Sequence, residues 1–219
     1  MADYPVSFDV RRPDTFDRAH VAIRLVIAVI LALLGGALGW SLGVIYLVIP
    51  VVAAILISQK GAQKYHDESG RTMTSWLRYI VAFHAYFAFL TDKLPNEPTA
   101  DYLEFEVTPS GTPTPGAALM RILLALPSAI VLALLWVVGF VLSVIAGVLI
   151  LYQEHYDGDI YNILRGIVRW EARLLAYLAS LVDEYPPFAF DQHASRTWPE
   201  PPAAPQPPAD ASPQAGGLA

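Results

Sequence analysis

The chain contains no cysteine among its 219 residues. Disulfide staples and thiolate metal sites are therefore excluded. Charge is also scarce: charged residues make up 16% of the chain, hydrophobic residues 55%, and the mean hydropathy is +0.43. Soluble domains carry about 25% charged residues, so the balance points to a membrane protein. The formal net charge is −6 and no concentrated basic patch is present, so nucleic acid is not an expected partner. The chain has no GxSxG elbow, no HExxH zinc helix, no P-loop and no dinucleotide fingerprint. No catalytic set and no cofactor follow from it, and the chain is expected not to be an enzyme. A secretory leader is not expected either. "MADYPVSFDVRRPDTFDRAH" puts acids and a strand-like run where a basic region and a cleavage site would stand. The first apolar segment is expected to stay in the protein.

Two long blocks lack Lys, Arg, Asp, Glu and His altogether: Leu25 to Gln59, 35 positions, and Ile122 to Gln153, 32 positions. One membrane-spanning helix needs about 20 apolar residues at 1.5 Å rise each. Each block is long for one upright helix and long enough for two short ones joined by a turn. In the first, "LLGGALGWSLG" supplies Gly35, Gly36, Gly39 and Gly43; in the second, "LWVVGF" supplies Trp136 and Gly139. Glycine punctuates helices, and Trp40 and Trp136 suit a membrane–water boundary. Two crossings per block are expected. One long tilted helix per block, or a re-entrant hairpin, is the rival arrangement. All 14 basic residues lie outside the proposed turns. The positive-inside rule then places both termini and the central segment in the cytoplasm. With no ionisable group inside the blocks, nothing relays protons or couples ions across them.

The sequence resembles itself. "VSFDV" (Val6 to Val10) aligns with "LEFEV" (Leu103 to Val107) 97 positions on, and the same offset brings Arg24 onto Arg121. After the hairpins the offset is 91: Tyr65 meets Tyr156, Arg78 meets Arg169, Tyr86 meets Tyr177, Leu90 meets Leu181 and Asp92 meets Asp183. The expected fold class is membrane all-α, built from two parallel pseudo-repeats. Each holds a short β-strand, a transmembrane helical hairpin and an amphipathic interfacial helix. The first repeat spans 1–98, with its hairpin at about 20–58 and its interfacial helix at about 74–91. The second spans 99–192, with hairpin about 117–153 and interfacial helix about 160–183. A Pro- and Ala-rich tail, 193–219, is expected to be disordered. Val6, Phe8 and Val10 alternate with Ser7 and Asp9, and Leu103, Phe105 and Val107 with Glu104 and Glu106. That period marks half-buried strands, expected to pair with each other or with "PPFAF".

Wound as a helix, Ile163 to Asp183 gathers Arg165, Arg169 and Arg173 on one face and Trp170, Leu174 and Tyr177 opposite. Basic residues facing a Trp-bearing apolar stripe suit a helix lying in the interface plane. The arginines are expected to face anionic lipid phosphates, the acids of the strands, or both. The first copy contributes Trp76 and Arg78 to the same set of lipid- or partner-binding residues. The acidic cluster Glu154, His155, Asp157 and Asp159 matches no metal loop; a helix-terminating turn with Asp159 as N-cap is expected instead, and no metal site is assigned.

The opening "YPVSFDV", an Arg entering the first apolar helix, and "RWEARLLAYLASLVDEYPPF" resemble the bacterial membrane proteins of domain-of-unknown-function family 4389. The resemblance covers residues 4 to 190, and "DKLPNEP" in the first half departs from the closing motif. It implies a multi-pass protein of the bacterial inner membrane and carries no activity. The expected function is that of a non-catalytic accessory or scaffold protein, binding partner proteins or lipids at the cytoplasmic face, in a membrane complex or homo-oligomer. A permease or lipid-handling protein with a site between the hairpins is the alternative.

Overall fold

A computed structural model describes residues 4–35, 38–96 and 98–188. Strand β1 (Val6–Val10) leads into helices α1 (Arg18–Gly35) and α2 (Leu38–Lys60). A short helix α3 (Ala62–Lys64) and a π-helical turn (Tyr65–Ser69) feed α4 (Gly70–Phe87). Strand β2 (Leu103–Val107) follows, then α5 (Pro115–Leu124), α6 (Leu126–Gln153) and α7 (Gly158–Leu178). Helices α1, α5 and α7 begin where a side chain meets orphan N–H groups. Asp17 accepts from Ala19 N at 2.8 Å, Thr114 from Ala117 N at 3.2 Å with Pro115 next to it, and Asp157 from Asp159 N at 2.7 Å. Asp157, not Asp159, is the cap of α7.

The strands pair with each other, antiparallel, with Phe8 opposite Phe105, Val6 opposite Val107 and Val10 opposite Leu103. Val6, Phe8, Val10, Leu103 and Phe105 are buried, so the alternation read from sequence selects the inward face. A two-stranded ribbon is marginal alone; here β1 packs on α7 and β2 on α4.

In the first block, α1 ends at Gly35 and α2 begins at Leu38. The turn itself and the side chain of Trp40 lie outside the described residues. The second block differs from expectation. There is no turn at Trp136 or Gly139, because α6 runs unbroken from Leu126 to Gln153. The interruption before it, at Ala125, keeps helical angles (φ −76°, ψ −15°), donates to Arg121 O and accepts from Ala129 N. The hairpin expected at about 117–153 is therefore one long, slightly interrupted helical path. The reason lies in which side of α6 its small residues occupy. Ser128, Leu132, Gly139, Ser143, Ala146 and Ile150 form a single buried stripe, spaced as one face of a helix. A Cβ on Gly139 would stand 3.1 Å from Ile167 Cδ1, and one on Gly147 3.1 Å from the Phe89 ring. These glycines give close approach and do not bend the chain.

The amphipathic helices also sit differently. Over Leu164 to Leu178 nearly every residue of α7 is buried, covered by α6, α4, α2 and β1. It is a central helix of the body, not one lying on a surface. The expected tail, 193–219, lies outside the described residues.

Candidate functional site

The arginines expected to face lipid phosphates, strand acids or both make contacts with the protein itself. Arg169 donates Nε to Phe8 O at 3.0 Å and lies 3.8 Å from Asp9. Arg165 pairs with Asp9 at 3.2 Å and donates to Asn162 at 3.1 Å. Arg173 stacks over the Tyr4 ring at 5.3 Å, and Arg78 donates to Phe105 O at 2.9 Å. Trp170 and Tyr177 are buried, and Trp76 alone of the predicted set is well exposed, at 67%. These contacts have a physical cause. A guanidinium near an apolar helix lowers its free energy most by meeting a fixed carbonyl or carboxylate with little desolvation loss, and the strand edges supply both.

Two further arginines close the ends of α4 and α7. Arg24 donates to Tyr86 O at 2.8 Å and Thr91 O at 2.7 Å, and pairs with Asp92 at 3.1 Å. Arg121 donates to Tyr177 O at 2.7 Å and Val182 O at 2.5 Å, and pairs with Asp183. Helix C-terminal carbonyls have no intrahelical partner and carry partial negative charge. Each arginine neutralises one such end from another helix. Both helices terminate the same way. Phe89 (φ 58°) and Ser180 (φ 55°) take the left-handed conformation, with Leu90 N bonded to Ala85 O and Leu181 N to Ala176 O, a Schellman-type end. Gly111 (φ 76°) lies against the second clamp, where an added Cβ would overlap the Asp183 carboxylate.

The deepest polar group is a pair the sequence reading left out. His84 Nδ1 lies 2.9 Å from Glu171 Oε1, with side-chain exposures of 8% and 1%. Tyr46 OH reaches the same carboxylate oxygen at 3.5 Å, and the Trp136 ring stands edge-on to His84 at 5.9 Å. Four helices, α2, α4, α6 and α7, each contribute one of these side chains. An isolated buried charge is costly, so the carboxylate and the imidazole are stable there only together. One signal was available. Glu171 stands four residues after Ile167 and three before Leu174, on the apolar stripe of α7, where a carboxylate needs a partner. Glu154, His155, Asp157 and Asp159 do not converge. Glu154 pairs with Arg18 at 3.3 Å, His155 Nδ1 lies 2.6 Å from Gln153 O, and Asp157 caps α7.

Phenols seal the joins between segments. Tyr65 OH donates to Ala179 O, Tyr156 OH to Phe89 O at 2.7 Å, and Tyr161 OH to Val10 O at 2.9 Å. Burial pushes all three phenols well above the ordinary tyrosine range.

Residues 115–189, from α5 through the segment after α7, match the family model described as a domain of unknown function (DUF4389). This segment is similar to the DUF4389 family. No curated protein and no solved structure matches the chain. The DUF4389 segment supplies Arg121, Trp136, Arg169 and Glu171, while Arg24, Tyr46, Arg78 and His84 come from the residues before it. The buried His84–Glu171 pair and the Arg169–Phe8 bond are thus composite, whereas each clamp lies on one side of residue 115.

Among the described residues, one helix, Leu126–Gln153, is long and apolar enough to cross a membrane.

Proposed function

We propose that the chain is a non-catalytic accessory or scaffold protein of the bacterial inner membrane, binding partner proteins or lipids at the cytoplasmic face. The observation that carries this reading is a broad apolar surface. Leu25 and Val29 on α1, Leu47 and Val51 on α2, Leu123 on α5, and Leu134, Val137 and Phe140 on α6 are all exposed. Monomeric soluble proteins rarely expose contiguous apolar patches beyond a few hundred Å². Seated in hydrocarbon, this surface needs no further cover.

The polar segments support a single cytoplasmic layer. The residues before α1, between α2 and α5, and after α6 are tied to one another: Arg12 to Tyr156 O, Asp17 N to Asp92 at 2.7 Å, Tyr4 OH to Glu184 O at 3.0 Å, and Ser110 to Glu184 at 2.5 Å. These segments hold the basic residues, which favours one side of the bilayer for all of them. The halves read as two copies of one unit, strand, apolar helices and capped amphipathic helix. Arg78 and Arg169 support this by exchanging contacts with Phe105 and Phe8 across the strand pair. In this reading α1 and α2 double back as a hairpin, and α5 and α6 rest in the cytoplasmic leaflet, so that both ends of that path stay with the cytoplasmic layer.

Purification from native membranes in mild detergent, with mass spectrometry of co-purifying proteins and lipids, tests the proposal. A stoichiometric protein partner is the expected result. Release of the chain into the supernatant on an alkaline carbonate wash would overturn the membrane assignment. A chain retained in the membrane but carrying lipid alone would move the reading to lipid handling.

A further inference from the structure

A cleft of about 550 Å³ opens between α2 and α4. Its walls are aliphatic along their length: Val44, Ile45, Val48, Val52, Leu56, Met73, Leu77 and Ile80. Only one end is polar. There Lys60 Nζ stands 3.2 Å from Glu68 Oε2 and 3.0 Å from Ser69 Oγ, with Thr72 beside them and the exposed Trp76 on the rim.

We infer that this cleft is a site for one acyl chain of a zwitterionic aminophospholipid, with its headgroup at the Lys60–Glu68 pair. The inference rests on the membrane reading above. The first argument is length. From Val44 to Leu56 the α2 wall runs about 18 Å at 1.5 Å per residue, close to the roughly 15 Å of hydrocarbon in one leaflet. The second is girth. A volume of about 550 Å³ over that length is a cross-section of about 30 Å². That section suits a single extended chain lying along the cleft. The third is charge. Lys60 and Glu68 are both part-exposed, at 34% and 57% of their side chains. A headgroup with a phosphate and an ammonium can meet Lys60 with the first and Glu68 with the second. A purely anionic headgroup would satisfy Lys60 and face the Glu68 carboxylate with like charge. Ser69 and Thr72 supply hydroxyls for the remaining phosphate oxygens.

The test uses the full chain in vesicles of phosphatidylethanolamine and phosphatidylglycerol. A phosphatidylethanolamine carrying a photoreactive acyl chain is added, and labelled residues are mapped by mass spectrometry. Label is expected at Met73, Ile49 and Val52 above that on α6 at Leu134 and Phe140. Val48→Trp should lower label in the cleft at least fivefold and leave α6 unchanged. Lys60→Gln and Glu68→Gln should each lower cleft label about threefold with the ethanolamine probe. Label on α6 with none at Met73 means bulk lipid only and overturns the site while sparing the membrane reading. Equal cleft labelling by an otherwise identical phosphatidylglycerol probe overturns the headgroup assignment. Absence of label on α6 and in the cleft alike overturns the membrane reading, and this inference with it.

Discussion

Arg169 on α7 donates its Nε to the carbonyl oxygen of Phe8 on β1 at 3.0 Å. This bond joins the DUF4389 segment to the first strand of the chain. Its counterpart joins Arg78 on α4 to Phe105 on β2 at 2.9 Å. Phe8 and Phe105 face each other at the centre of the ribbon, so one strand pair is held from two helices at once. A charged donor to a buried carbonyl contributes about 2 kcal/mol.

Arg169→Met should therefore destabilise the chain by about 2 kcal/mol and release the ribbon. Hydrogen exchange at the β1 amides should rise, while exchange in α6 stays as it was. Unchanged β1 protection would show that Val6, Phe8 and Val10 hold the strand by packing alone.

Ser180 and Phe89 take the same left-handed conformation at the ends of their helices, but their substitutions should act in opposite directions. Ser180 is 1% exposed and its hydroxyl has no hydrogen-bond partner among the described residues. Ser180→Gly removes both the buried hydroxyl and the Cβ strain of the left-handed region, a gain of about 1–2 kcal/mol. Phe89 stacks on Arg24 at 4.2 Å and faces Gly147. Phe89→Gly relieves the same strain and loses that packing, a net loss of about 2 kcal/mol. Thermal unfolding of the two variants in one detergent checks the pair of signs.

Glu171 and His84 should be strongly coupled. Glu171→Leu alone leaves the imidazole without its partner in the bundle centre and should cost about 3 kcal/mol. Adding His84→Leu should recover much of that loss, since an apolar pair of similar volume replaces the buried polar pair. A double-mutant cycle measures the coupling; strictly additive losses would mean that the two side chains do not act as a unit.

Alkaline pH should open the joins between segments. Tyr65, Tyr156 and Tyr161 are at most 3% exposed, and burial raises each phenol above its ordinary value. In the unfolded chain they ionise near about pH 10. Above that pH the unfolded state binds fewer protons than the folded one, so stability falls as pH rises. The slope is up to about 1.4 kcal/mol per pH unit for each phenol, and stability below about pH 10 is unaffected by them. Tyrosinate absorbance should appear together with loss of helix signal, and Tyr156→Phe should flatten the slope. Ionisation of all phenols ahead of unfolding would contradict their burial.

The alternation around Phe8 and Phe105 marked both strands, because a half-buried strand shows its pleat in its residue types. The helical spacing of Trp170, Leu174 and Tyr177 marked α7, and the offsets in the sequence brought Arg24 into register with Arg121. Local periodicity and composition determined these features, along with the apolar character of α1, α2 and α6. The neighbours of each face came from the tertiary structure. Gly139 has the same composition in a turn as in a packing stripe, and only the approach of Ile167 makes it the latter. Arg165 and Arg169 would suit lipid phosphate as well as a carbonyl or carboxylate, and only the docking of β1 on α7 brings Asp9 and the Phe8 carbonyl to them. The meeting of His84 with Glu171 joins residues far apart in the chain. Periodicity carries no information about such a contact, because it depends on how four helices cross.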